Sequence, residues 1–282
     1  MSVLHHIVVW FLFTTLLGLG NTVGYHRMLT HRAFSAVLPL RWFLIFLGAL
    51  HSGSPIFWAG LHRFHHARSD SAEDPHSPID GFWRGHTGWL IGRSHPFPCI
   101  LFSLSGFGQQ VMIFWHDIRR LAGHNPPTWR SVCTDLMRER FLRVLDFPLV
   151  MPGLFLAQLW AAWSLGGWYG VLWLWASHLF LTNASWAVNS ICHWPAFGVR
   201  RYDTGEGSRD VHWVAYFTNG EGFHNCHHRF PRSACHALHG GPDLSWSVIR
   251  LLTRVRLARD PWLPRSMKAD LLAGRASVGP PS

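Results

Sequence analysis

No lysine or arginine occurs before Arg27, and none occurs between Val144 and Val199. Apolar residues fill both gaps, so the chain has to place long uncharged stretches out of water. Residues 7–24 are long enough to cross a hydrocarbon core ~30 Å thick at ~1.5 Å per residue. They lack the basic start and small-residue cleavage site of a signal peptide, which makes them a retained span. Residues 147–163 and 168–190 read as a second and third span, joined by a turn containing Gly166 and Gly167. Residues 38–61 are apolar but interrupted by Arg41, His51, Gly53 and Pro55, a pattern that suits an amphipathic segment lying along the membrane. Residues 69–143 are polar and rich in Pro and Gly, the chain is polar again from His193, and the tail from Gly274 is expected to fray. The sequence therefore predicts one all-α integral membrane domain over residues 1–282, with about three transmembrane helices and a helical cap.

With the first span ending near Tyr25 and the other two forming a hairpin, every basic residue falls on one side. The positive-inside rule makes that side cytoplasmic. Charged residues are 14% of the chain, against ~25% in a soluble domain, and tryptophan is abundant at 17. The net charge of +10 comes almost wholly from arginine, Lys268 being the single lysine. These arginines are scattered between apolar stretches and form no run, which argues against nucleic acid and for lipid head groups or a phosphorylated acyl carrier. The five cysteines show no framework spacing, so reduced thiols are expected. Cys192 and Cys226 adjoin key histidines, but enough imidazoles are present without them.

Nine of the 21 histidines fall in a pattern. His26 and His31 stand in H-R-M-L-T-H, His62, His65 and His66 in H-R-F-H-H, and His224, His227 and His228 in H-N-C-H-H. His193 follows the third span. On a helix, residues i, i+3 and i+4 share a face, so each H-x-x-H-H is expected to present three imidazoles toward one point. Asn189 and His193 share a face by the i, i+4 rule. This is too many imidazoles for one tetrahedral zinc and suits two metals with open positions. Imidazole alone does not choose among iron, zinc, copper and nickel; zinc has no redox function, whereas iron activates oxygen.

These motifs resemble the membrane fatty acid desaturases, in particular the acyl-CoA delta-9 (stearoyl-CoA type) enzymes. The resemblance runs from about Gly24 to Asp260. It includes Asp74-Pro75-His76, Gly81-Phe82-Trp83, His86, Gly88-Trp89-Leu90 and the approach Asn219-Gly220-Glu221-Gly222-Phe223 to the third box. It implies a mushroom-shaped helical fold whose cytoplasmic cap holds a di-iron site ligated by the nine histidines, with Asn189 holding a water on one iron. It also implies a kinked apolar tunnel, with Trp58, Ser185 and Trp186 at lining positions and Trp89, Arg84 and Arg93 as further substrate contacts. The family usually has two spans before the first histidine box, four in all; this sequence has room for one there. Gly60-Leu61 stand where the animal acyl-CoA enzymes carry an Arg-Asp that holds coenzyme A, and Ser52 replaces a common glutamine. The stretch S-G-S-P-I-F-W is closer to the bacterial branch, implying a bacterial inner membrane.

Removing hydrogen from an unactivated methylene is beyond side-chain acids and bases, so a metal must carry the chemistry. The resemblance implies two iron ions, molecular oxygen as co-substrate and zinc as a possible substitute in purified material. It implies a saturated fatty acyl substrate linked to coenzyme A, lipid or carrier protein. No haem-attachment motif and no G-x-G-x-x-G is present, so electrons have to come from a ferredoxin or a cytochrome b5 type protein with its reductase. Arg84, Arg93, Arg200 and Arg201 are candidates for carrier phosphates or that donor, or simply for lipid head groups. A related hydroxylase or acetylenase, and a non-enzymatic membrane metal-binding protein, fit the same motifs. His5, His6, His51, His95, His116, His124, His178, His236 and His239 read as packing or surface residues. Asp74 and Glu221 are candidates for orienting ligating imidazoles, helix capping being the alternative for Asp74.

Overall fold

The computed structural model describes residues 3–124 and 128–274, and most of the tail expected to fray lies outside them. Helices carry almost all the regular structure. Helix α1 (Val3–Leu19) runs directly into a π-helical stretch, Gly20–Thr30, that is buried throughout. Its first turns expose Val9, Phe11 and Leu12.

The stretch at 38–61, expected to be one segment, is two helices bent by 80°: α2 (Leu38–Ser52) and α3 (Pro55–Arg68). The interrupting residues are the cause. Gly53 ends α2 at φ 78°, Ser54 caps α3 by accepting a hydrogen bond from the Phe57 N–H, and Pro55 starts the new helix. The bend sends α3 onward to carry the second histidine box.

Within 69–143, read as a polar cap, stand two apolar helices bent by 98°: α4 (Pro96–Leu104) and α5 (Gly108–Leu121). Phe97, Leu101, Leu104, Val111 and Phe114 are exposed on them. Each run is too short to read as a span, and Pro96, Pro98, Gly106 and Gly108 give it the look of a loop.

The stretches 147–163 and 168–190 fall largely in the two halves of one helix, α6 (Val150–Ser190), which breaks at Gly167. Gly167 has φ 56° and ψ −140°, a conformation essentially restricted to glycine. Trp163 and Trp168 pack edge to face across the break, 4.8 Å between ring centroids. Leu156, Trp160, Leu165 and Trp168 are exposed. By length and composition one described helix, His5–Thr30, suffices to cross a membrane, or up to three if the bent pairs α2–α3 and α4–α5 each count as one span; the candidates thus include the stretch expected to lie along the membrane and do not include α6. Helix α6 meets α1 through a Thr14–Ser177 hydroxyl pair at 2.8 Å and the Trp10–Trp173 ring contact.

The core lies where the π stretch, α2, α3 and the C-terminal segment meet. Ile45, Ile56 and Ile249 are sealed in it, each contributing ~2 kcal/mol relative to exposure. The C-terminal segment supplies α7 (His212–Phe217), α8 (His224–Arg229) and α9 (Leu244–Arg254). A two-residue antiparallel pair, β1 (Ser35–Ala36) with β2 (Ala258–Arg259), ties it back to the first histidine box.

Candidate metal centre

His26 and His31 are five residues apart, a spacing that an α-helix does not put on one face. The π-helical stretch does: the His31 N–H donates to the His26 carbonyl at 3.1 Å, an i→i+5 bond, and the two rings meet edge to face at 4.8 Å. The second box is on α3 and the third on α8. Asn219 and Gly220 turn the chain into the third box with φ 56° and 105°. A Cβ on Gly220 would lie 2.5 Å from the Asp243 carboxylate, so only glycine fits there.

All nine predicted ligands converge, in two groups. His26, His31, His62, His66 and His227 form one; His65, His193, His224 and His228 form the other, with ligand atoms in each group within 4.8 Å of one another. The H-x-x-H-H triplets do not point at a single spot, as expected from the sequence. In each, the i, i+4 pair stays together and the middle histidine crosses to the other group, because adjacent helical residues diverge by ~100°. The second box lends His65 to the four-histidine group, and the third box lends His227 to the five-histidine group.

The donor geometry fits cations. In the five-histidine group, Nε2 contacts run His31–His62 3.0 Å, His62–His66 3.0 Å, His66–His227 2.9 Å and His227–His26 3.1 Å. A neutral imidazole Nε2 has either one proton or one lone pair. Five such atoms satisfy at most two of these contacts as hydrogen bonds, whereas lone pairs around one ion satisfy all. In the four-histidine group, the Nε2 atoms of His65 and His193 are buried without a hydrogen-bond partner. Burial first, and neighbouring imidazoles second, hold His224, His227 and His228 well below the usual histidine range, in the neutral form that ligates.

Carboxylates hold the opposite ring nitrogens. Glu221 Oε2 meets His26 Nδ1 at 2.5 Å, Asp74 Oδ2 meets His65 Nδ1 at 2.9 Å, and Asp70 Oδ2 meets His193 Nδ1 at 3.1 Å. Glu206 Oε1 lies 3.5 Å from His228 Nδ1. Each contact leaves Nε2 as the free donor atom. Burial pushes the Glu221 carboxyl up, but His26, His236 and Arg27 outweigh it and hold the group well below the usual range. The sequence had suggested Asp74 and Glu221 for this task. Asp70 and Glu206 were missed: Asp70 lies just past the second box but serves His193, 123 residues away, and Glu206 stands in a loop away from every box.

A cavity of about 130 Å³ reaches the histidines and is lined by Trp58, Trp89, Ser185, Trp186, Asn189 and His62, among others. A second, of about 70 Å³, shares Trp58, Ser185, Asn189 and His62 and also touches His26 and His224. Trp58 stacks on the His62 ring at 5.1 Å. Four of the six predicted substrate residues thus line one space. Arg84 and Arg93 do not: the Arg84 guanidinium bonds the Gly88 carbonyl at 3.3 Å, and Arg93 is exposed.

A fatty acid desaturase family model matches residues 4–261. The chain belongs to the fatty acid desaturase family. It is 35% identical to the sn-1 stearoyl-lipid 9-desaturase of Anabaena variabilis, over 86% of this chain and 78% of that protein. It is 33% identical to delta-9 acyl-lipid desaturase 2 of Arabidopsis thaliana, over 94% and 77%. To an acyl-CoA 5-desaturase of Anemone leveillei it is 33% identical, over 87% and 68%. As a desaturase it is an oxidoreductase acting on fatty acyl chains, in a family generally dependent on iron.

In this desaturase all five cysteines are buried, and none is in a disulfide. Cys226 donates to Asp210 at 3.0 Å and Cys192 faces the Gly222 carbonyl at 3.9 Å; neither joins a histidine group among the described residues. His236, read as a packing or surface residue, is 1% exposed, with its ring 4.5 Å from that of His227 and Nδ1 3.3 Å from Glu221. It sits in a loop with no helical spacing to the boxes, so no sequence pattern marks it. His51 and His178 form a separate buried pair at 3.2 Å, with Gln110 beside it.

Proposed function

We propose that this chain is an oxygen-dependent desaturase that introduces a cis double bond, at carbon 9, into a saturated acyl chain carried on a membrane lipid. The observation that carries this reading is the convergence of nine histidines into two groups beside one cavity. Two iron ions bound there supply the oxidising power of oxygen. The overall change is –CH2–CH2– + O2 + 2e⁻ + 2H⁺ → –CH=CH– + 2H2O. Electrons come from a separate ferredoxin or cytochrome b5 type donor.

The protein's part is placement. His26, His31, His62, His66 and His227 hold one metal; His65, His193, His224 and His228 hold the other, with Asn189 contributing through a water. Trp58, Ser185 and Trp186 line the cavity and would position the acyl chain, with Trp58 directly against the His62 ring. Glu221, Asp74 and Asp70 keep protons on Nδ1 of His26, His65 and His193. A lipid carrier is favoured by Leu61, which is 7% exposed and lines the cavity where acyl-CoA enzymes carry a charged residue. The relatives include both acyl-lipid and acyl-CoA enzymes, so the choice of carrier rests on Leu61. The apolar helix His5–Thr30 supports a membrane protein, the positions of the arginines in the sequence a site facing the cytoplasm, and the S-G-S-P-I-F-W stretch a bacterial inner membrane.

Expression in a host that makes saturated chains, with mass spectrometry of separated lipid classes, tests the proposal. The expected product is a carbon-9 double bond appearing first in glycerolipid-bound chains. A first appearance in acyl-CoA overturns the carrier. No new double bond, despite full iron loading and a supplied donor, overturns the reaction.

A further inference from the structure

Arg27, between the two histidines of the first box, is a charge with no exposure. Burying a guanidinium is costly unless every donor is used. Here its Nε and Nη2 donate to Glu221 Oε1 at 3.3 and 3.0 Å, and its Nη1 donates to the Ala234 carbonyl at 2.7 Å and contacts Asp243 at 2.9 Å. Glu221 is thereby split in function. Oε1 is given to Arg27, while Oε2 faces His26 Nδ1 at 2.5 Å and His236 Nδ1 at 3.3 Å. Asp243 in turn accepts the backbone N–H of His236 at 2.8 Å and caps α9 through the Trp246 N–H at 2.8 Å.

We propose that Arg27 and Glu221 act as one positioning unit, in which the guanidinium fixes the carboxylate so that its second oxygen sets the tautomer and aim of His26 and the placement of His236. The inference rests on the reading of the histidine groups as a metal centre. Its chemistry is geometric. A carboxylate held on one oxygen by a planar two-nitrogen fork cannot rotate, so the other oxygen stays on Nδ1 of His26 and Nε2 stays turned to its group. His236 approaches the same oxygen as a further imidazole beside His227, with Nε2 buried and without a hydrogen-bond partner.

The test uses the full-length protein in detergent, loaded with iron, and reads metal per chain, release to a chelator, and thermal unfolding of the monodisperse fraction. Glu221→Gln keeps the size and one acceptor but places an amide where the carboxylate fixed the tautomer. One metal should be released ~10–100-fold more readily while the other is held as in the parent. Arg27→Lys keeps the charge but not the fork, and should give the same selective loss. Asp243→Asn loosens Arg27 at its other arm together with the α9 cap, and should lower the unfolding temperature and release the same metal more readily, by a smaller factor than Glu221→Gln. The inference is overturned by a folded Glu221→Gln or Arg27→Lys that holds both metals as the parent does. Equal loosening of both metals in any of the three variants also overturns it, because the effect would then be one of general stability; if the two main variants do not fold, Asp243→Asn still decides by whether its loss falls on one metal. Failure of the parent itself to hold two metals would refute the underlying reading of the site instead.

Discussion

In the five-histidine group a single carboxylate among the described residues, Glu221, meets the imidazoles, and a fully buried guanidinium from the first box balances it. In the four-histidine group three carboxylates, Asp70, Asp74 and Glu206, meet them, and backbone amides balance these. Asp74 accepts from the N–H groups of Asp70 at 3.0 Å and His76 at 3.2 Å, Asp70 from Gly207 at 2.6 Å, and Glu206 from Ser208 at 2.6 Å. The first arrangement concentrates orientation in one long-range ion pair. The second spreads it over loops, most of whose contacts are close in sequence. Concentration gives rigidity with one point of failure; distribution gives redundancy.

The comparison can be broken in order of effect. Removing one imidazole from either group, by His62→Ala or His227→Ala in one and His65→Ala or His224→Ala in the other, should cut product formation at least ~100-fold and lower bound metal to about one per chain. Metal analysis and fatty-acid profiling check this, and full activity in any one of the four removes that residue from its group. Asn189→Ala should cost ~10–100-fold in turnover and loosen the metal of the four-histidine group alone. A loss shared equally by both groups would place Asn189 with the cavity rather than with one metal. Glu206→Gln should weaken chelator resistance by only about tenfold, at the low end of such effects, because Asp70 and Asp74 still hold His193 and His65. A penalty as large as that of Glu221→Gln would refute the contrast between concentrated and distributed support. Gly167→Ala, at the turn of α6 and remote from both groups, should destabilise the fold by ~1–3 kcal/mol through its strained backbone. Chelator release should be unchanged in it, and altered release would mean the hairpin tunes the centre.

Much of the site was readable before any coordinates. The nine histidines, Trp58, Trp89, Ser185, Trp186 and Asn189 lie in repeating or family-like patterns, and the structure brings them to two groups and one cavity. Asp70, Glu206 and His236 were not readable, since each acts from a loop whose partner is far along the chain and no period announces it. Arg84 and Arg93 show the converse: their motifs are recognisable, yet neither reaches the cavity lining. In the fold, the breaks at Gly53 and Gly167 were foreseen as interruptions or turns. The apolar pair α4–α5 was hidden, because two short runs split by Pro and Gly have the composition of a loop.

The sequence by itself determined the helical class, the uncharged stretches and the identity of the histidines, because these follow from composition and from spacing along one helix. Only the tertiary structure decided how the histidines are shared. A triplet on a single α-helix cannot aim all its rings at one point, since neighbouring side chains diverge by ~100°. Packing α3 against α8 resolves this by exchanging His65 and His227 between the groups. The meeting of the π-helical stretch with the turn before α8 buries Arg27 against Glu221, 194 residues away along the chain, a pairing that no local pattern encodes.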